Sequence, residues 1–176
     1  MHIRLASLLD RDSIRCLHLS AFPEEEREAV AALAVNLLAE KTTPETFAFV
    51  AETDHIVMGH IAFSPVSDIN TDKFQGYLLA PLAVHPQFQK QGIGTGLVEA
   101  GMQHLLQLAV DIVFVYGSPQ YYSRFGFDPG FASEYVPPYQ LKYSFGWQAK
   151  SLKDGNTFPA SAKLSCVPSL RDPQLW

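Results

Sequence analysis

The chain is poor in the features that mark several protein classes. It has only two cysteines, Cys16 and Cys166, far apart and without metal-ligand spacing. That excludes a disulfide-stapled scaffold and predicts reduced packing residues in a cytoplasmic protein. Its six histidines contain no His-x-x-x-His pair, and no metal is expected. Thirteen Lys and Arg are scattered among eighteen Asp and Glu, for a net charge of −5. Neutralising nucleic-acid phosphates needs clustered positive charge, so no nucleic-acid partner is expected. The longest apolar stretch, Leu78 to Val84, is far below the ~20 residues that span a bilayer. Met1 to Ser7 alternates where a signal peptide would run from charge into an apolar segment, so neither leader nor membrane association is expected.

What is present suits one folded domain over residues 1–176, with 47% hydrophobic residues to build a core. His2 to Ala6 alternates like a strand. Asp10 or Asp12 is placed to cap a helix bearing Ile14, Leu17 and Ala21. Pro23 with Glu24, Glu25 and Glu26 starts a second helix, striped by Val30, Leu33 and Leu37. Thr46 to Glu52 and Ile56 to Val66 read as strands about a tight turn, and Ser67 to Gly76 as a loop. Tyr77 to Val84 is a further strand, interrupted by Pro81, which cannot donate to a ladder and predicts a gap there. A long helix over Gly92 to Ala109, a strand over Asp111 to Tyr116 and a short helix from Ser118-Pro119 follow. Asp154-Gly155 signals a closing hairpin between Lys142–Leu152 and Phe158–Val167. The order is mixed α/β with a largely antiparallel sheet of six or seven strands and about four helices.

The most informative stretch is Leu82-Ala83-Val84-His85-Pro86-Gln87-Phe88-Gln89-Lys90-Gln91-Gly92-Ile93-Gly94. A strand stops at a proline, a glycine-bearing turn follows, and a helix begins. Such a turn aims backbone N–H groups and the positive end of a helix dipole at one point, which suits phosphate or pyrophosphate. A dinucleotide fingerprint would need a third glycine at Leu97 and an acid closing the next strand, whereas Asp111 opens it. A P-loop would need Gly-Lys-Ser/Thr, and no such run exists.

Gln89, Gly92 and Gly94 instead form Gln/Arg-x-x-Gly-x-Gly/Ala after a Leu-x-Val-x-Pro strand end. This resembles the acetyl-CoA signature of the GCN5-related N-acetyltransferase (GNAT) superfamily, and residues 117–127 resemble its Phe-Tyr-x-x-Leu-Gly-Phe element. The resemblance covers about residues 1–130 and implies a GNAT domain whose fourth and fifth strands splay apart around the pantetheine arm. It implies that acetyl-CoA is held by Leu82, Val84, Gln89, Lys90, Gln91, Gly92, Ile93, Gly94 and Thr95, with Ser118, Tyr121 and Arg124 from the second element. The Val84 N–H is expected to bond the thioester carbonyl, Lys90 to add charge at the pyrophosphate and Arg124 to reach the 3′-phosphate. Tyr122 matches the tyrosine that protonates the departing CoA sulfur. The fourth strand lacks the glutamate that many members use as general base, and Glu52 and His60 are the nearest substitutes.

The expected activity is therefore N-acetyl transfer from acetyl-CoA to a primary amine, by direct attack in a ternary complex. The negative charge favours a cationic small-molecule acceptor. The alternatives are a non-catalytic acyl-CoA-binding module and an acyltransferase for longer chains. A homodimer is compatible with the resemblance.

Overall fold

The computed structural model describes residues 1–153 and 161–176. They fall into two compact units. The first holds Met1–Phe63 with Ala80–Leu105, and the second Ser64–Leu79 with Leu106–Trp176.

In the first unit β1 (His2–Leu5) pairs antiparallel with β2 (Phe47–Thr53), which pairs antiparallel with β3 (Ile56–Asp68). The β2–β3 turn places Asp54 and His55 at φ 49° and 65°. Two left-handed residues in sequence match the right-handed twist of the flanking strands. β4 (Phe74–Val84) lies beside β3. Backbone bonds from His85 N–H to the Met58 carbonyl (2.8 Å) and from Asp68 N–H to the Lys73 carbonyl (2.9 Å) show the two strands running in opposite directions. The polar loop shrinks to residues 69–73, because Phe74, Gln75 and Gly76 extend the strand.

Helices α1 (Arg11–Ala21) and α2 (Glu24–Ala39) pack together over β2, where Ile14, Ala34 and Val50 form a buried cluster. Burying each larger apolar side chain contributes roughly 1.5–3 kcal/mol. Asp10 precedes α1 but does not cap it. Its carboxylate accepts instead from the Ser7 N–H (2.7 Å) and from Arg4 (2.8 and 2.9 Å). Cys16 is exposed, against expectation, because Ile14, Leu17 and His18 take the inward face of α1. Cys166 is buried as expected. On β3, Gly59 faces α3 (Ile93–Gln107), an added Cβ lying 2.8 Å from both Ile93 and Leu97. His60, the next residue, therefore points to the opposite face, toward α1.

The second unit is built around β5 (Ile112–Tyr116). β4 pairs with it in parallel through Tyr77, Leu78 and Leu79, and the ladder ends there. Pro81, which has no N–H to give, follows two residues later. β7 (Trp147–Ser151) pairs antiparallel on the other side of β5. α4 (Pro119–Tyr122) follows β5 as expected. α5 (Pro129–Ala132) and β6 (Tyr135–Val136) come next. Among the described residues β7 and β8 do not pair as the expected hairpin: β8 (Ala162–Ser165) pairs with β3 and β6, and β7 with β5. The Asp154-Gly155 turn lies outside the described residues. Phe114, stacked on Trp147 (centroids 5.5 Å apart) and edge-on to Tyr135 (5.0 Å), anchors the core of this unit. Among the described residues, eight strands and five helices form a mixed α/β fold with a mostly antiparallel sheet.

Candidate active site

β4 changes character along its length. Gly76 to Leu79 are all buried, but from Ala80 onward burial alternates, and Ala80, Leu82 and Val84 share a half-open face. The chain then makes a short 3-10 turn over Pro86–Phe88, capped by the His85 ring accepting from the Gln87 N–H at 3.3 Å. Gln89 folds back so that its amide donates to the Val84 carbonyl at 3.1 Å, and the Gln91 amide donates to the Gln87 carbonyl at 3.3 Å. The first bond ties the turn to the end of β4, and the second braces the turn itself.

Lys90 and Gly92 adopt φ values of 61° and 84°. An added Cβ on Gly92 would meet no atom within 4 Å, so conformation rather than space favours glycine here. The Gly92 carbonyl accepts from the Gly96 N–H (2.9 Å), which starts α3. The first N–H groups of a helix have no acceptor within it. Here those groups belong to Ile93, Gly94 and Thr95, at the positive end of a fifteen-residue helix. Gln89, Lys90, Gln91 and Gly92 are exposed around them.

The two substitutes for a general base are held in other ways. Glu52 accepts from Arg4 at 2.7 Å in a network with Asp10. The Arg4 guanidinium holds the Glu52 carboxyl below its ordinary range and Asp10 down to about 2. His60 is fully buried, and its Nδ1 lies 2.9 Å from Nε2 of His18, which is also fully buried and stacks on Phe22. Removal from water holds both rings neutral, pushing His18 down to about 4 and His60 well below its ordinary value; His18 lowers His60 further. The outer ring nitrogens, His18 Nδ1 and His60 Nε2, have no partner among the described residues.

In the second unit, Tyr121 and Tyr122 end α4 with rings edge-on at 4.9 Å. Tyr122 is buried against Phe127 (5.7 Å), and burial raises its phenol, so it carries its proton at neutral pH. Arg124 is exposed, its guanidinium 4.1 Å from the Tyr121 ring centroid. Ser118 is exposed and precedes α4 without a side-chain capping bond.

Sequence reasoning missed His18 and the close packing of Gly117, Gly146 and Gln148 below α4. No local pattern marks His18 or Gln148. Gly117, between a strand and a Ser-Pro helix start, was a visible signal. Among the described residues no group of three or more His, Cys, Asp or Glu is placed to hold a metal ion, and no helix is long and apolar enough to cross a membrane.

Comparison with known proteins gives one consistent answer. Residues 11–127 match the family model described as Acetyltransferase (GNAT) family. The chain is 31% identical over 147 residues to the N-acetyltransferase YjhQ of Escherichia coli strain K12, covering 81% of this chain and 80% of that one. Its fold is similar to that of the GNAT family N-acetyltransferase YhbS from Escherichia coli, solved in complex with CoA. The TM-score is 0.83 at 27% identity, covering 97% of this chain and 92% of that one. It is also similar to a GNAT family acetyltransferase from Brucella melitensis in complex with acetyl-CoA, with a TM-score of 0.70 at 28% identity over 96% of each chain.

Proposed function

The chain belongs to the acetyltransferase (GNAT) family, and on that premise we propose that it moves acetyl from acetyl-CoA to a primary amine, as one acyl-CoA N-acyltransferase domain over residues 1–176. The observation that carries the proposal is the turn over Gln89–Gly92 leading into the N-terminus of α3, with its exposed rim and left-handed Gly92. It offers backbone donors and a helix dipole to a pyrophosphate, with Gln89, Lys90, Gln91, Ile93, Gly94 and Thr95 around it. Leu82 and Val84, on the half-open face of β4, hold the pantetheine arm and thioester, and the Val84 N–H steadies the oxyanion. By the family resemblance, Ser118, Tyr121 and Arg124 also contribute to CoA binding.

The amine nitrogen attacks the thioester carbon, the N–C bond forms and the C–S bond breaks. The sulfur leaves as a thiolate steadied by a hydrogen bond from the Tyr122 hydroxyl and takes up a proton from water, and the nitrogen releases its proton to water. A buried phenol is a weaker acid than a thiol, so Tyr122 shares its proton with the developing thiolate more than it surrenders it. Direct attack in a ternary complex needs no acyl-cysteine. His60 is sealed and Glu52 bound to Arg4, so neither is arranged to receive the amine proton, and water takes that role. A cationic small-molecule acceptor fits the net charge of −5.

The sealing of His60 and the pairing of Glu52 with Arg4 support a second reading, a non-catalytic acyl-CoA-binding module. CoA release from acetyl-CoA with a panel of primary amines separates the two. We expect turnover with at least one amine, and a fall of about 10²–10³-fold in Tyr122→Phe with acetyl-CoA affinity retained. Affinity without turnover would establish the binding module, and undiminished turnover in Tyr122→Phe would reject that residue's role.

A further inference from the structure

Where β5 gives way to α4, two glycines and one buried amide are packed against each other. The Gly117 N–H donates to the Gly146 carbonyl at 2.9 Å. Gln148, on β7 opposite Val115, is fully buried, and its Nε2 lies 3.2 Å from the Gly117 carbonyl and 3.3 Å from the Gly146 carbonyl. Both neighbours are acceptors only, so the amide orientation follows: the NH2 group faces the two glycines and the carbonyl faces away. Gln148 Oε1 has no partner among the described residues. A wholly buried glutamine with one end unpartnered among the described residues is an expensive way to fill space, since an unpaired buried acceptor is destabilising.

Gly117 is also the surface against which Tyr122 rests. An added Cβ there would lie 2.6 Å from Tyr122 Cε2, and one on Gly146 would lie 3.1 Å from the Gly117 carbonyl oxygen. The Tyr122 ring is therefore in van der Waals contact with the Gly117 backbone. The position of that backbone is set by its bond to Gly146 and by the Gln148 amide.

We infer that Gln148 is a positioning residue for Tyr122, its amide fixing the Gly117 and Gly146 carbonyls so that the tyrosine ring is held in one place. This rests on the assignment of Tyr122 as the group that meets the CoA sulfur. Gln148 touches no reacting atom and acts through Gly117. Its amide has two protons and two carbonyls to satisfy, which no apolar side chain of its size can do. A shift of a few tenths of an ångström in Gly117 carries the phenol with it, and a hydrogen bond to sulfur is sensitive to such a shift.

The test labels tyrosine with 13C at Cζ, identifies the Tyr122 line by its loss in Tyr122→Phe, and adds CoA to the unaltered protein and to Gln148→Met and Gln148→Leu. Methionine nearly keeps the side-chain length, which guards against a variant that fails to fold. We expect the Tyr122 line to move on CoA addition in the unaltered protein. In the variants CoA affinity should stay within about threefold while the movement falls to about half or less. With the amine that the panel selects, Gln148→Met should lower kcat about tenfold with little change in KM for acetyl-CoA. In the Tyr122→Phe background it should have almost no further effect. An unchanged Tyr122 response, or kcat effects that multiply in the double variant, would overturn the role of Gln148 and leave that of Tyr122 intact. No movement of the Tyr122 line in the unaltered protein would overturn both.

Discussion

The turn after β4 and the histidine pair beneath α1 lie in the same unit and treat polar atoms in opposite ways. Gln89 to Gly92 are exposed, and the helix start behind them has N–H groups that no intrahelical carbonyl can take. His18 and His60 are shut away from water, share one hydrogen bond of 2.9 Å and are held neutral. Donors left in solvent at a helix start are available to a ligand; ring nitrogens sealed in a core are committed to the fold. A polar residue on a strand beside the expected site gains a chemical role only if something can reach it, and His60 is fully buried.

The largest effect that sharpens the contrast is acid instability. The folded-state pKa of His18 is about 4 and that of His60 is also depressed, both below the ~6.5 of an unfolded chain. Below pH 6.5 the unfolded chain takes up protons that the folded one refuses, so stability is complete above pH 6.5 and falls as pH drops toward 4. His18 alone should account for on the order of 3 kcal/mol across that window. Asp10, held down to about 2, titrates below it. Urea midpoints at pH 7 and pH 4.5 check this, and equal midpoints would break the contrast from the buried side. Next comes His60→Leu, which leaves His18 Nε2 without its partner and should destabilise the protein by about 2 kcal/mol in urea unfolding. Acetyl-CoA affinity should be unchanged in that variant, and a loss would bring His60 into the ligand site. Changing Gly92 and Gly94 together to Ala should have the reverse signature. Acetyl-CoA affinity by isothermal titration should fall about tenfold or more, roughly 1.4 kcal/mol, with a loss of stability in urea no larger than the ~1–2 kcal/mol of holding Ala in the left-handed region at position 92. Smallest is Gln89→Ala, which frees the turn from the Val84 carbonyl and should weaken acetyl-CoA binding two- to fourfold, about 0.5–1 kcal/mol.

The turn was legible in the sequence because its determinants are contiguous: Gln89, Gly92 and Gly94 sit within six residues of one another, and a left-handed position and a helix start both have local signatures. The same holds for the Asp54-His55 turn, the Glu-rich start of α2 and Pro81, past which no β4–β5 pairing continues. The histidine pair joins residues 42 apart and the Gln148–Gly117 bond residues 31 apart, and neither distance is written in any local pattern. The closing hairpin shows the limit from the other side. Asp154-Gly155 is a sound local signal, but the partners of β7 and β8 were chosen by the open sides of β5 and β3. Glu52 was visible as an acid on a strand, whereas its capture by Arg4 depends on the β1–β2 register that sets Arg4 opposite Val50 and His2 opposite Glu52.

The most direct test of the claim that this turn binds the cofactor is an amide NMR titration of the 15N-labelled protein with acetyl-CoA. The N–H signals of Gln91, Gly92, Ile93, Gly94 and Thr95 should move most, as backbone donors take up the pyrophosphate. Saturable binding that leaves those five signals in place would contradict the account.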